Sequence, residues 1–204
     1  MPYANDGGGN WNATGCFPID PAAAGYEEPC SVTGSGVSGI DTCDKGLICW
    51  DVDGQTLEGH CAALCQGDVD ACGDGTSCCP AGSECSFARS STLDLCVKLC
   101  DPIDQDCPEG SACYPLQSSF HCAPDNSGDV GAVGDPCEYV NVCDPGTFCA
   151  DAGVFPGCDP RATGCCAPFC SLKAPSCPPE TECTAWFDQD PPVGYEDVGA
   201  CVSL

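Results

Sequence analysis

Twenty-five of the 204 residues are cysteine. Thiols at that density ligate soft metals, run redox exchange, or cross-link the chain, and their spacing separates the three. Zinc knuckles and thioredoxin-like sites need C-x-x-C, metallothionein-like chains rely on C-x-C, and attached haem needs C-x-x-C-H. None of these spacings occurs, and the only adjacent cysteines are Cys78-Cys79 and Cys165-Cys166. Disulfides are the expected use, with no thiolate metal centre and no cofactor. Carboxylates are the second resource. Asp51 and Asp53 with Glu58, Asp68 and Asp70 with Asp74, Asp101 with Asp104 and Asp106, and Asp188 and Asp190 with Glu196 and Asp197 sit at spacings that suit a hard cation such as calcium. None completes an EF-hand loop: in DVDGQTLE the glycine and the glutamate both come too early. A solvated acidic surface is the plainer reading, and weak calcium binding at one or two loops is the sharper one. Histidine, the usual acid–base group, occurs twice, as His60 and His121. Each directly precedes a cysteine at the same place in a repeat, which points to a structural role. G-x-S-x-G, H-E-x-x-H and phosphate-loop motifs are absent. No catalytic residues are expected.

The elements that hold these groups form a repeat. The segment C-x2-[G/E]-x2-C occurs as Cys43–Cys49, Cys72–Cys78, Cys79–Cys85, Cys107–Cys113, Cys143–Cys149 and Cys177–Cys183. Its centre is glycine except at Glu180. Glycine accepts the positive φ that other residues resist, so each copy reads as a tight turn ending in two cysteines. A variable loop follows five of the copies, then a third cysteine with a fixed sequel. Three sequels are complete as C-x3-C, at Cys61–Cys65, Cys96–Cys100 and Cys166–Cys170, and two stop short, after Cys122 and Cys201. The repeat therefore reads C-x2-G-x2-C-x(8–17)-C-[AV]-x-[LFD]-(C), with units starting at 43, 79, 107, 143 and 177. The C-x3-C pieces suit single helical turns, because residues i and i+4 share a helix face.

The units fall into two disulfide-rich blocks, 30–122 and 137–204, opened by Glu28-Pro29-Cys30 and Asp135-Pro136-Cys137. A cysteine-free linker, 123–136, separates them, and a tail, 1–29, precedes them. Block one holds 14 cysteines and block two ten, Cys158 and Cys165 included, so each can close on itself. Cys16 is then the odd one, a candidate for an intermolecular bond. The pairing itself does not follow from spacing.

Leu, Ile, Val and Phe number only 33. So few large apolar side chains do not offset the ordering entropy of this backbone without cross-links. The fold class expected is a small disulfide-rich repeat protein, mostly loops and short β-hairpins with little helix. Strands are expected at 46–53, 95–100, 120–123 and 199–204. Trp186 and Phe187, with Tyr195 nearby, read either as an interaction surface or as a local cover over disulfides. The net charge of −26 repels nucleic acid and anionic lipid. The disulfides place the chain outside the cytoplasm, in an extracellular or cell-surface setting. No stretch is long enough to span a membrane, and residues 1–15 lack the pattern of a signal peptide, as in a mature or trimmed form.

CGDGTSCCPAGSEC (72–85) resembles part of a granulin unit over about 14 residues, without the regular CC ladder of that family. GDPCEYVNVCDPGTFC, GCCAPFC and WFDQDPPVGYEDVGAC resemble segments of secreted or lipoprotein-type cysteine-rich repeat proteins of myxobacteria and related bacteria. This second resemblance implies export and a bacterial surface, and brings no catalytic residues with it. The expected function is a non-catalytic, disulfide-stapled structural or interaction protein, with copies of itself as partners in a matrix or filament. The alternatives are a calcium-dependent extracellular binding module, or an inhibitor or toxin-like effector docking through loop 50–60 or 184–200.

Overall fold

The computed structural model describes residues 2–4, 6, 8–65, 79–87, 93–116 and 118–203, with backbone alone at 86 and 87. They form short antiparallel strand pairs tied by eleven disulfides, with no α-helix among the described residues and one 3-10 turn at Val140–Val142. No helix among them is long and apolar enough to cross a membrane.

One covalent pattern recurs. Cys30 bonds Cys49 while Cys43 bonds Cys61. Cys65 bonds Cys85 while Cys79 bonds Cys96. Cys100 bonds Cys113 while Cys107 bonds Cys122. Cys137 bonds Cys149 while Cys143 bonds Cys166. Cys170 bonds Cys183 while Cys177 bonds Cys201. Among the described residues every module thus carries one crossed set of four cysteines, with the first joined to the third and the second to the fourth. The fourth module adds Cys158–Cys165 inside its long loop. The repeat frame read from the sequence shifts accordingly. The last cysteine of each C-x3-C does not close its own unit; Cys65, Cys100 and Cys170 each open the next. Cys72 and Cys78 lie outside the described residues.

The turn between the second and third cysteines is the anchor. In all five modules an N–H donates to the carbonyl three residues back: Leu47 to Asp44, Ser83 to Pro80, Ser111 to Pro108, Thr147 to Asp144 and Thr181 to Pro178. The third residue of each turn has positive φ, at Gly46, Gly82, Gly110, Gly146 and Glu180. This is a type II turn, whose third position demands the left-handed region. Glu180 keeps the turn at the cost a Cβ adds there, φ being +67°. Glu180→Gly is therefore expected to raise stability by about 0.5–1 kcal/mol, read from guanidinium unfolding. A loss on substitution would mean the Glu180 side chain contributes more than its backbone conformation costs.

The turn launches a hairpin. After β1 (Pro2–Tyr3) and β2 (Ala13–Thr14) in the N-terminal segment, the first module's β3 (Pro29–Ser31), β4 (Leu47–Trp50) and β5 (Glu58–Ala63) form an antiparallel sheet in the order β3-β5-β4. In the second, β6 (Ser83–Phe87) pairs with β7 (Asp94–Lys98). In the third, β8 (Ser111–Leu116) pairs with β9 (Ser119–Pro124). The last two modules share a sheet built from β10 (Pro136–Cys137), β11 (Thr147–Asp151), β12 (Gly164–Ser171), β13 (Glu182–Ala185) and β14 (Val198–Val202). Third and fourth cysteines stand opposite each other across the hairpin at Cys49 and Cys61, Cys113 and Cys122, Cys149 and Cys166, and Cys183 and Cys201. They share a face of the pleat, and each bonds to an earlier cysteine. The register of the incoming chain is constant too. The residue before the first cysteine pairs with the residue before the fourth: Pro29 with His60, Leu64 with Leu95, Leu99 with His121, Pro136 with Cys165, and Phe169 with Ala200.

Two expectations are corrected here. The C-x3-C pieces are extended: Cys61 lies in β5, Cys96 in β7, and β12 carries both Cys166 and Cys170. The reason is a main-chain bond that a helical turn would forfeit, since Leu64 N–H donates to Gly46 O and Phe169 N–H to Gly146 O. Nor is 123–136 a free linker. Asn126 N–H donates to Asn141 O, Asp144 N–H to Gly131 O, Gly134 N–H to Cys166 O, and Cys166 N–H to Asp135 O. The tail repeats this strap ahead of the first module. Asp44 N–H donates to Ala24 O, Glu27 N–H to Cys61 O, and Cys61 N–H to Glu28 O. A module without a fused predecessor carries its own strap.

By contacts the chain divides into two compact units, Met1–Val97 and Lys98–Leu204, a division inside the first sequence block and not at 123–136. In the first unit Ile48, Ala62, Leu93 and Leu95 form a small apolar cluster beside the cystines Cys30–Cys49 and Cys43–Cys61. In the second unit the core is aromatic, with Phe120, Phe148, Phe155 and Phe169 buried together. Cys61, Cys113, Cys143, Cys166 and Cys201 are wholly buried, so half-cystines fill positions that aliphatic side chains fill in larger proteins.

Candidate functional site

Outside the disulfides, the groups singled out by sequence are dispersed. The Cys16 thiol is free and exposed. Its surroundings are ordered and are no loose tail. β1 pairs antiparallel with β2, Ala4 N–H donates to Val37 O, and Tyr3 meets Phe17 edge-on at 5.5 Å. A Cβ at Gly39 would stand 2.7 Å from Pro2 O, so glycine admits this close approach.

The acids serve their own loops. Asp53 Oδ1 accepts from Gln55 and Thr56 N–H at 2.8 Å, and these bonds, Thr56 first, hold its carboxyl below the ordinary range. Asp101 Oδ1 accepts from Ile103 N–H, and Asp106 Oδ1 accepts from Asp101 N–H, closing the loop 101–106. Asp104 lies in that loop, with its N–H 3.4 Å from Asp101 Oδ1. Asp68 and Asp70 lie outside the described residues. Clusters of three sulfurs, such as those of Cys137, Cys143 and Cys166, fall within 4.8 Å of one another. They are crossed bridges side by side, and a disulfide sulfur is no thiolate ligand.

Trp186, Phe187 and Tyr195 are half-buried and turn inward on Phe120, with ring centroids 5.4, 6.3 and 5.1 Å from it. His121 is buried, its Nε2 3.3 Å from Ser119 Oγ, while His60 pairs with Trp50 across β4 and β5. Tyr114 is buried and donates to Cys143 O at 2.9 Å, with Asp125 Oδ1 at 3.2 Å. Burial first, and the charge of Asp125 second, raise the phenol well above its usual range. For Asp125, burial pushes the carboxyl up, but hydrogen bonds from Ser127 and Tyr114 outweigh it and leave it lowered. This makes a polar tie between the third and fourth modules.

One concavity was not foreseen. Trp11, Gly36, Val37, Cys49, Trp50, Asp51, Val52 and Asp53 line an open cleft of about 490 Å³ in the first unit. Trp50 ends β4, and Asp51 follows in the left-handed region at φ +51°. Trp11 arrives from the N-terminal segment, fastened by Asn12 N–H to Tyr3 O. Both indoles also pack on the Ile48 cluster. Nothing in the spacing of Trp11 and Trp50 signals this meeting, because it depends on the strap and the first hairpin together.

With this geometry in hand, likeness to known proteins is narrow. The chain is similar in part to human progranulin. The two are 30% identical over 105 residues, 48% of this chain. The chain spans only 15% of that protein's length. No family model and no solved structure matches. What the likeness supports is a cysteine-rich, disulfide-stapled module. The granulin-like stretch 72–85 is described only from Cys79 onward.

Proposed function

We propose that this chain is a non-catalytic extracellular protein that serves a structural or interaction role, built from disulfide modules and joined to a second copy of itself through Cys16. One observation carries the reading: the crossed pairing of all five modules leaves Cys16 as the free thiol among the described cysteines. Oxidised modules need an oxidising compartment, and the partial likeness to progranulin agrees with an extracellular setting. The bacterial surface is inferred from the resemblance of 134–149, 164–170 and 186–201 to exported bacterial repeat proteins. Assembly into a matrix or filament follows if the Cys16 bond is combined with further contacts between modules.

Alkylation of the native protein, read by intact mass, is expected to leave the Cys16-linked dimer unlabelled and to add one label per chain, at Cys16, to any monomer. More than a few labels would overturn the stapled model. Non-reducing electrophoresis of untreated native material is expected to show a dimer band that Cys16→Ser abolishes. Monomer alone would overturn the cross-link.

A further inference from the structure

We propose that the cleft between Trp11 and Trp50 binds an organic ammonium group, with the indoles as walls and Asp51 and Asp53 as the counter-charge. Three observations converge. The cleft holds about 490 Å³, the size of a small-molecule site. Its walls combine two tryptophans with Val37 and Val52. Tryptophan is the best face for a cation, because the indole quadrupole is negative above the ring. Its rim carries two exposed carboxylates and no basic residue.

Complementarity of charge selects the ligand. A chain with net charge −26 repels anions and concentrates cations at an acidic rim. A neutral sugar would find stacking surface here but would leave the carboxylates without a counter-charge. An inorganic cation would have the carboxylates but no use for the indoles. An alkylammonium uses both, its methyl groups against the rings and its charge beside Asp51. The walls are fixed before binding: Trp50 by its strand, Trp11 by the bonds of Asn12 and Ala4. Asp53 is held by its own loop bonds, so its charge stays in place.

Choline is the probe, with 3,3-dimethylbutan-1-ol as its uncharged isostere. Nitrogen-labelled protein is titrated and the three indole N–H resonances are followed, Trp186 in the second unit serving as the internal control. Choline is expected to move the Trp11 and Trp50 signals and leave Trp186 in place, with the isostere weaker by about tenfold. Asp51→Asn removes the charge while keeping a residue that tolerates positive φ, and is expected to weaken choline by about fivefold. Trp50→Ala should abolish the shift, with the disulfide count by mass confirming that the variant has folded. Equal binding of choline and isostere, movement of all three indoles, or no movement at millimolar choline would each overturn the proposal.

Discussion

Removing the Cys143–Cys166 bridge by double substitution to alanine is expected to lower stability by about 4–5 kcal/mol. The bridge closes a separation of 23 residues, and both half-cystines are wholly buried. Loop-closure entropy alone, taken for this bridge by itself, accounts for about 3.4 kcal/mol, and lost packing at two buried sulfurs adds to it. The Cys158–Cys165 bridge is the internal comparison. It closes a separation of only seven residues, and Cys158 is half-exposed. The same entropy relation gives about 2.4 kcal/mol there, so C158A/C165A should cost visibly less than C143A/C166A. Guanidinium unfolding followed by circular dichroism measures both. Equal losses would mean that neither loop length nor burial sets the contribution of a bridge in this fold.

The second large effect belongs to Phe120. It is wholly buried and meets four other aromatic rings, Phe169, Trp186, Phe187 and Tyr195, with centroids 5.1–6.3 Å away. Three of these contacts are edge-on, the arrangement that sets a positive ring edge against a negative face. Phe120→Ala is expected to cost about 3–5 kcal/mol, because the ring leaves a cavity that neighbours anchored by disulfides cannot collapse to fill. Phe120→Leu should recover most of the loss. Near-ultraviolet circular dichroism should weaken in the alanine variant while the disulfide count is unchanged. If Phe120→Ala unfolded with unaltered midpoint, the aromatic cluster would be a surface feature and the cystines alone would hold the second unit. Trp186→Ala, half-buried at the rim of the cluster, is expected to cost less than Phe120→Ala.

How much of this was legible follows from what each signal depends on. The turns were legible because a type II turn is local: Gly46, Gly82, Gly110 and Gly146 sit where only glycine is free of strain, and the spacing survives even where Glu180 replaces it. The strands at 46–53, 95–100, 120–123 and 199–204 were anticipated near β4, β7, β9 and β14, since each flanks such a turn or runs into a fourth cysteine. The C-x3-C pieces misled because i and i+4 share a face of a helix and also lie on the same face of a strand. The bonds of Leu64 and Phe169 to distant glycine carbonyls decide between the two, and no local pattern announces them. The segment 123–136 reads as a linker for a related reason. Its glycines permit close approach, which composition alone cannot tell from freedom. Gly131 is within 2.7 Å of Val142 O at its would-be Cβ.

Composition, cysteine spacing and glycine position by themselves determined that this is a disulfide-stapled repeat of small hairpins with a strongly acidic chain. Those properties are local or additive along the chain, so they can be read one segment at a time. Tertiary structure alone decided the crossed pairing, the frame of the module, the inward turn of Trp186 and the meeting of Trp11 with Trp50. Each of these requires residues distant in sequence to share one small volume, and the chain acquires that information only by closing on itself.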